Sequence, residues 1–142
     1  MRKGFDFVGV STVYLCHDGK GNYVLQKRSE RCRDEHGRWD CGGGGLEFGV
    51  SVEENLKNEI REELGAKVLE MDFLGFRDVH RVHNGEKTHW VALDYRVLVD
   101  PASVVNGEPE KFDEVKWFKL AEFPKNLHSQ LPIVLENYRG RL

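Results

Sequence analysis

Residues 42–66 read GGGGLEFGVSVEENLKNEIREELGA, a glycine run followed by an acid-rich amphipathic segment. Val52, Leu56, Ile60 and Leu64 recur every four residues, Ser51 can cap the first turn, Glu53 and Glu54 suit its positive end, and Gly65 can close the last turn. The pattern predicts a helix over residues 51–64. Three- and four-residue steps return to one helix face, so Glu59, Glu62 and Glu63 share an arc of roughly 100°. Like charges so crowded repel unless water screens them or a cation sits among them, and hard carboxylate oxygens suit Mg²⁺. The competing reading is a solvated acidic face relieved by Lys57 and Arg61. Two features weigh against it. Leu56, Ile60 and Leu64 lie beside the arc, which puts the carboxylates at the edge of the buried stripe. Four consecutive glycines also let main-chain groups approach a ligand or metal closely.

Outward from this segment, residues 7–16 and 23–28 are rich in β-branched and aromatic side chains and flank the turn cluster 18–22, which predicts two strands joined as a hairpin. Residues 29–38 are a charged loop leading into a glycine turn at 42–45. Residues 67–79 and 89–99 form a long hairpin about Asn84-Gly85-Glu86, 101–109 a loop, 114–119 a short strand, and 129–138 a helix with Pro132 in its first turn. Strands on both sides of one central helix, with a second helix at the end, indicate an α/β (α+β) sandwich around a mixed sheet.

The chain of 142 residues, 39% of them apolar, suits one domain over residues 1–142 with a core large enough to need no staples. Its 21 basic and 24 acidic residues give a net charge of −3, which argues against holding a nucleic acid polymer or an anionic membrane by bulk electrostatics. Cys16, Cys32 and Cys41 are an odd set without a C-x-x-C pair, which points to a reducing compartment and a cytoplasmic location. Residues 7–16 carry no cleavage signature and are too short to span a membrane.

Residues 44–66 resemble the Nudix box, G-x5-E-x7-R-E-U-x-E-E-x-G-U with U apolar. Seven of its nine fixed or apolar positions match, while Val50 stands where the family has Glu and Asn58 where it has Arg. In the family those two side chains pair and brace the loop against the helix, and losing both leaves neither charge stranded. The resemblance implies a Nudix-like α/β/α sandwich around a mixed β-sheet. It also implies that Glu59, Glu62, Glu63 and the carbonyl of Gly43 bind Mg²⁺, with Mn²⁺ as a substitute. The proton acceptor is then one of Glu59, Glu63, Glu110 or Glu114. Substrate contacts fall at Arg28, which matches a strand-end arginine on phosphate, and at Trp39 and Gly44. Residues 106–118 resemble a stretch of Nudix enzymes that act on nucleoside triphosphates. The expected activity is cleavage of a nucleoside triphosphate to monophosphate and pyrophosphate. A small nucleotide is the expected partner, and pairing with a second copy of the chain is compatible with the family. Two rival expectations are a pyrophosphatase for ADP-ribose, dinucleotides or nucleotide sugars, and a nucleotide-binding module weakened by Val50 and Asn58.

Other candidates read as ordinary structure. Lys27, Arg31, Arg33, His36 and Arg38 fit a charged surface loop. Trp39, His89, Trp90, Phe112 and Trp117 could stack on a base, but aromatic side chains in strands more often fill a core. Cys32, His36 and Cys41, with His80 and His83 on the next hairpin, match no common structural zinc spacing. No G-x-S-x-G elbow is present.

Overall fold

A computed structural model describes residues 1–142 and contains seven strands and two helices. The strands are β1 (Gly9–His17), β2 (Asn22–Arg28), β3 (Trp39–Asp40), β4 (Gly42–Gly45), β5 (Val68–His83), β6 (Glu86–Val99) and β7 (Phe112–Lys119). The helices are α1 (Val52–Leu64) and α2 (Leu131–Asn137), and short 3₁₀ turns occupy Pro101–Ser103 and Leu120–Glu122.

Helix α1 forms where the sequence predicts it. The Ser51 side chain accepts the Glu54 N–H, and Gly65 closes the last turn at φ 61°, a conformation that Gly adopts without a Cβ penalty. Its apolar stripe packs Leu56, Ile60 and Leu64, all fully buried, against Tyr14, Cys16, Val97 and Val99 of the sheet. On the opposite face of the sheet, Leu131, Val134 and Tyr138 cover Leu15, Tyr23, Leu25 and Leu74. Two helical layers therefore enclose one mixed sheet, as the α/β/α expectation required.

The strand pairing departs from the simple hairpin in one respect that shapes the site. β1 and β2 share only the His17↔Tyr23 pair beside their turn. Beyond it β1 runs parallel to β6 from Gly9↔Trp90 to His17↔Leu98, and antiparallel to β4 from Ser11↔Gly45 to Tyr14↔Gly42. Both of its edges are thus occupied, and β2 swings away to pair with β3 and β7. The glycine run is a strand in this fold, not the turn its composition predicts, because β1 offers it a complete ladder. β5 and β6 form a long hairpin turned by Asn84 and Gly85, whose φ values of 50° and 80° suit the two-residue connection favoured by strand twist. No helix is long and apolar enough to cross a membrane.

Candidate active site

Helix α1 places its three carboxylates at three depths: Glu62 is exposed, Glu59 half-buried and Glu63 only 5% exposed. The sheet reaches under the helix to hold the deepest one. The Tyr14 hydroxyl donates to Glu63 Oε1 at 2.9 Å and accepts from Gln26 Nε2 at 3.1 Å. Burial pushes the Glu63 carboxyl up to about 8 against the pull of the Tyr14 hydrogen bond, and the Glu59 and Glu108 charges add to the rise. Burial also raises Glu59, with Glu62 as the next cause. Both shifts mark a place where negative charge is crowded out of water, and a cation against these oxygens would restore the charged form.

The glycine strand is the other half of the arrangement. A Cβ on Gly44 would lie 2.4 Å from the Glu59 carboxyl carbon, and one on Gly42 would lie 2.1 Å from the Tyr14 ring. Any side chain there would displace the groups that α1 and β1 present, so the main chain itself forms the wall beside the carboxylates. Gly42–Gly45 also border a cavity of about 300 Å³. Ser11, Val13 and Ala92 of the sheet line it, Trp90 adds an aromatic face, Leu131 and Val134 of α2 close it, and Arg33, Arg81 and Gln130 rim it. A strand without side chains is the shared boundary between an open, partly apolar cavity and an acidic helix face. The carboxylates of α1 and the main chain of the glycine strand offer oxygen donors of the kind that a hard divalent cation such as Mg²⁺ prefers, although Glu59, Glu62 and Glu63 do not converge on one point as two other side-chain groups of the molecule do.

The loop between β4 and α1 is pinned by a residue that sequence reasoning passed over. Asn55, 2% exposed, accepts the Glu47 N–H at 3.2 Å and donates to the Gly45 carbonyl at 3.2 Å and to Thr12 Oγ1 at 3.0 Å. Val50 takes no part in such a brace, and Asn58 turns along the helix to accept from Arg61 at 2.8 Å. Asn55→Ala strands buried polar groups on three segments, so we expect a stability loss of about 1–3 kcal/mol in urea denaturation together with lower turnover. A variant as stable and as active as the parent would show that the loop holds its shape without Asn55.

The remaining expected site residues are distributed unevenly. Gly43 and Gly44 lie in the strand beside α1. Arg28 does not border the cavity: its guanidinium bonds the Asp34 side chain at 3.0 Å and the Asp34 carbonyl at 3.1 Å. Arg33, read from sequence as a surface charge, lies on the cavity rim instead. Trp39 is core, 7% exposed and edge-on to Phe118 at 5.1 Å, whereas Trp90 lines the cavity. Glu110 is exposed, and Glu114 is half-exposed, 3.8 Å from Lys27. The loop charges that act on Glu59 and Glu63 come from Glu108 and Lys111, themselves 3.3 Å apart. Gly107 explains their position, since its N–H donates to the Glu63 carbonyl at 2.9 Å and a Cβ there would strike the Glu62 carbonyl. The cysteine and histidine set weighed for zinc does not assemble: Cys41 is core and the Cys32 thiol donates to the Lys111 carbonyl.

Loop 29–38 is latched across the cavity rim by Glu35. Its carboxylate accepts from the Ser129 N–H at 2.7 Å, the Ser129 hydroxyl at 2.9 Å and Arg81 at 2.8 Å, with His128 Nε2 2.9 Å away. Burial alone would raise this carboxyl, but the Ser129 bonds and the His128 and Arg81 charges outweigh it and hold Glu35 below its usual value. A depressed carboxylate contributes stability above its unfolded value and loses that contribution as pH falls through the folded one. We therefore expect Glu35→Gln to lower the urea midpoint at neutral pH, with the difference from the parent shrinking between about pH 5 and pH 3. A difference independent of pH would assign the effect to lost packing.

A family model described as the NUDIX domain matches residues 7–138. The chain belongs to the Nudix family. Nudix proteins of this kind hydrolyse nucleotide phosphoanhydrides, and the chain is a hydrolase of that type. Among Nudix relatives it is 42% identical over 124 residues to "Nucleoside triphosphatase NudI" of Salmonella newport (strain SL254), covering 82% of this chain and 88% of that protein. It is 34% identical over 114 residues to the NudI protein of Klebsiella pneumoniae subsp. pneumoniae, covering 77% of this chain and 80% of that one. Among solved Nudix structures, the MutT NUDIX hydrolase from Burkholderia pseudomallei superposes with a TM-score of 0.81 at 29% identity, covering 93% of this chain and 98% of that one. The NUDIX domain of Shewanella oneidensis NrtR, solved with ADP ribose, shares the fold alone, with a TM-score of 0.72 at 19% identity over 99% and 90% of the two chains.

Proposed function

We propose that this Nudix hydrolase is a single catalytic unit of the cytoplasm that uses Mg²⁺, or Mn²⁺ in its place, to cleave a nucleoside triphosphate into a monophosphate and pyrophosphate. The observation that carries this reading is the Gly42–Gly45 strand, which borders both the nucleoside-sized cavity and the acidic helix face. A base and sugar held in that cavity, beside Trp90 and Gln130, would lay their phosphates along a wall that has no side chains to obstruct them. Glu59, Glu62, Glu63 and the Gly43 carbonyl would hold the cation, and Arg33 on the cavity rim offers positive charge to the phosphate tail. When bound, the metal neutralises phosphate charge and lowers the pKa of water. Water attacks the α-phosphorus, the bond to the bridging oxygen breaks, and pyrophosphate leaves. One carboxylate, among Glu59, Glu63, Glu110 and Glu114, takes the proton that the water releases. The triphosphatase name of the 42%-identical Salmonella protein supports a triphosphate substrate, and the cytoplasmic assignment is supported by three cysteines that form no disulfide.

The test is a product assay across nucleoside triphosphates, ADP-ribose, dinucleotides and nucleotide sugars, with Mg²⁺ or with a chelator. The expected result is metal-dependent release of pyrophosphate and monophosphate from triphosphates. Turnover confined to the diphosphate-linked compounds would overturn the substrate, and orthophosphate release from triphosphates would overturn the bond assigned.

A further inference from the structure

The β5–β6 hairpin carries a second group of metal-capable side chains, remote in chemistry from the glutamates of α1. The two-residue turn at Asn84 and Gly85 sets a register in which His80 stands directly opposite His89. Side chains alternate along a strand, so Asp78, two residues before His80, projects from the same face. The three meet there. The Asp78 carboxylate lies 2.9 Å from His89 Nε2, and the His80 and His89 rings stack with centroids 4.2 Å apart. One ligand atom from each of the three falls within 4.8 Å of the other two. Ligand atoms around a four-coordinate ion with bonds of about 2.1 Å are separated by about 3.4 Å, so small rotations of these solvent-facing side chains close the set.

We propose that Asp78, His80 and His89 form a surface site for a borderline transition-metal ion of the Zn²⁺ or Ni²⁺ type, distinct from the hard-cation site on α1. The ligand types set the selectivity. Two imidazoles and one carboxylate favour zinc, nickel or copper, whereas carboxylates and carbonyls favour magnesium. A comparison within the molecule supports the assignment. Asp34, Glu35 and His128 approach one another as closely, but Arg28 and Arg81 already reach their carboxylates at 2.8–3.3 Å and fill the cation's role. Asp78 has no such partner: neither Lys nor Arg comes within ion-pair distance of it, and the Lys87 ammonium, on the same face, pairs with no carboxylate. The recess between His80, His89 and the N-terminal turn at Gly4–Val8 leaves room for water to complete the coordination. That turn is itself fastened to the hairpin by the His89 N–H bond to the Gly4 carbonyl and by the Arg2–Glu86 ion pair. An ion at this place would clip the two strands at the point where the N-terminus is anchored.

The experiment titrates ZnCl₂ and NiCl₂ into the full chain by calorimetry in excess Mg²⁺, alongside His80→Asn/His89→Asn and Glu59→Gln/Glu63→Gln double variants. Cu²⁺ EPR of each form counts the coordinating nitrogens. The expected result is one ion per chain at micromolar affinity in the parent and in the glutamate variant, with about tenfold or greater weakening in the histidine variant. Two coordinating imidazole nitrogens should appear in the Cu²⁺ spectra of the parent and the glutamate variant and be lost from that of the histidine variant. Asn at exposed His80 and at half-buried His89 should leave the fold and the Mg²⁺-dependent hydrolysis unchanged. Parent-like binding by the histidine variant, loss of binding in the glutamate variant, or no binding at micromolar concentration would each overturn the site.

Discussion

Glu63→Gln is expected to lower turnover by roughly 10²–10³-fold while leaving the melting temperature unchanged or slightly raised. The two halves of this result have one cause. Burial holds the Glu63 carboxyl up at about 8, so near neutrality the group is largely uncharged when nothing cationic faces it. A glutamine amide has the same shape, carries no charge and retains an oxygen to accept the Tyr14 hydrogen bond. The packing beneath α1 is therefore preserved, and the cost of keeping an ionisable group in the interior disappears. An amide cannot supply the anionic oxygen that a divalent cation requires, so a site built on Glu63 fails even though the fold does not. Parent-like turnover in this variant would remove Glu63 from the metal-binding set.

The largest effect on stability is expected at Asp94. This residue is fully buried on β6 and accepts two bonds from Arg77, at 2.7 and 3.0 Å, and one from the Tyr138 hydroxyl at 2.7 Å. The three residues come from β6, β5 and the C-terminal end of α2, so one carboxylate ties the second helical layer to the sheet. Arg77 also borders the cavity, which makes this pairing part of the cavity wall. Asp94→Ala leaves a buried guanidinium and a buried hydroxyl without their partner, and we expect a loss of about 3–5 kcal/mol in urea denaturation. Changing Arg77 and Asp94 together to apolar residues of similar volume should recover much of that loss, because the penalty comes from a stranded charge. A single variant within about 1 kcal/mol of the parent would show that water reaches Arg77 and screens it.

The parts of this protein that the sequence made legible are those whose signal is local. Helix α1 was readable because its apolar period, its Ser51 cap and its Gly65 stop all lie within one segment, and the same helical spacing put Glu59, Glu62 and Glu63 on one face. The glycine strand was not, because a strand without side chains has no alternation to read, and its pairing is decided by β1, some 30 residues earlier in the chain. The same competition for the edges of β1 undid the simple hairpin with β2. Tyr14 and Asn55 escaped notice for a related reason: their bonds to Glu63 and Thr12 span 49 and 43 residues. Glu108 stood two residues from the expected Glu110, and the missing information was how tightly Gly107 packs on the end of α1. The Asp78, His80 and His89 group needed only the register of one turn. Reading the two strands as ending at 79 and beginning at 89 left that register unassigned.

The carboxylates of α1 and the main chain of the glycine strand are expected to hold a divalent cation. Anomalous diffraction from crystals grown with Mn²⁺ tests it most directly. Manganese is expected against Glu59, Glu62, Glu63 and the Gly43 carbonyl. Manganese found only at the β5–β6 hairpin, with the α1 glutamates bound to no ion, would contradict it.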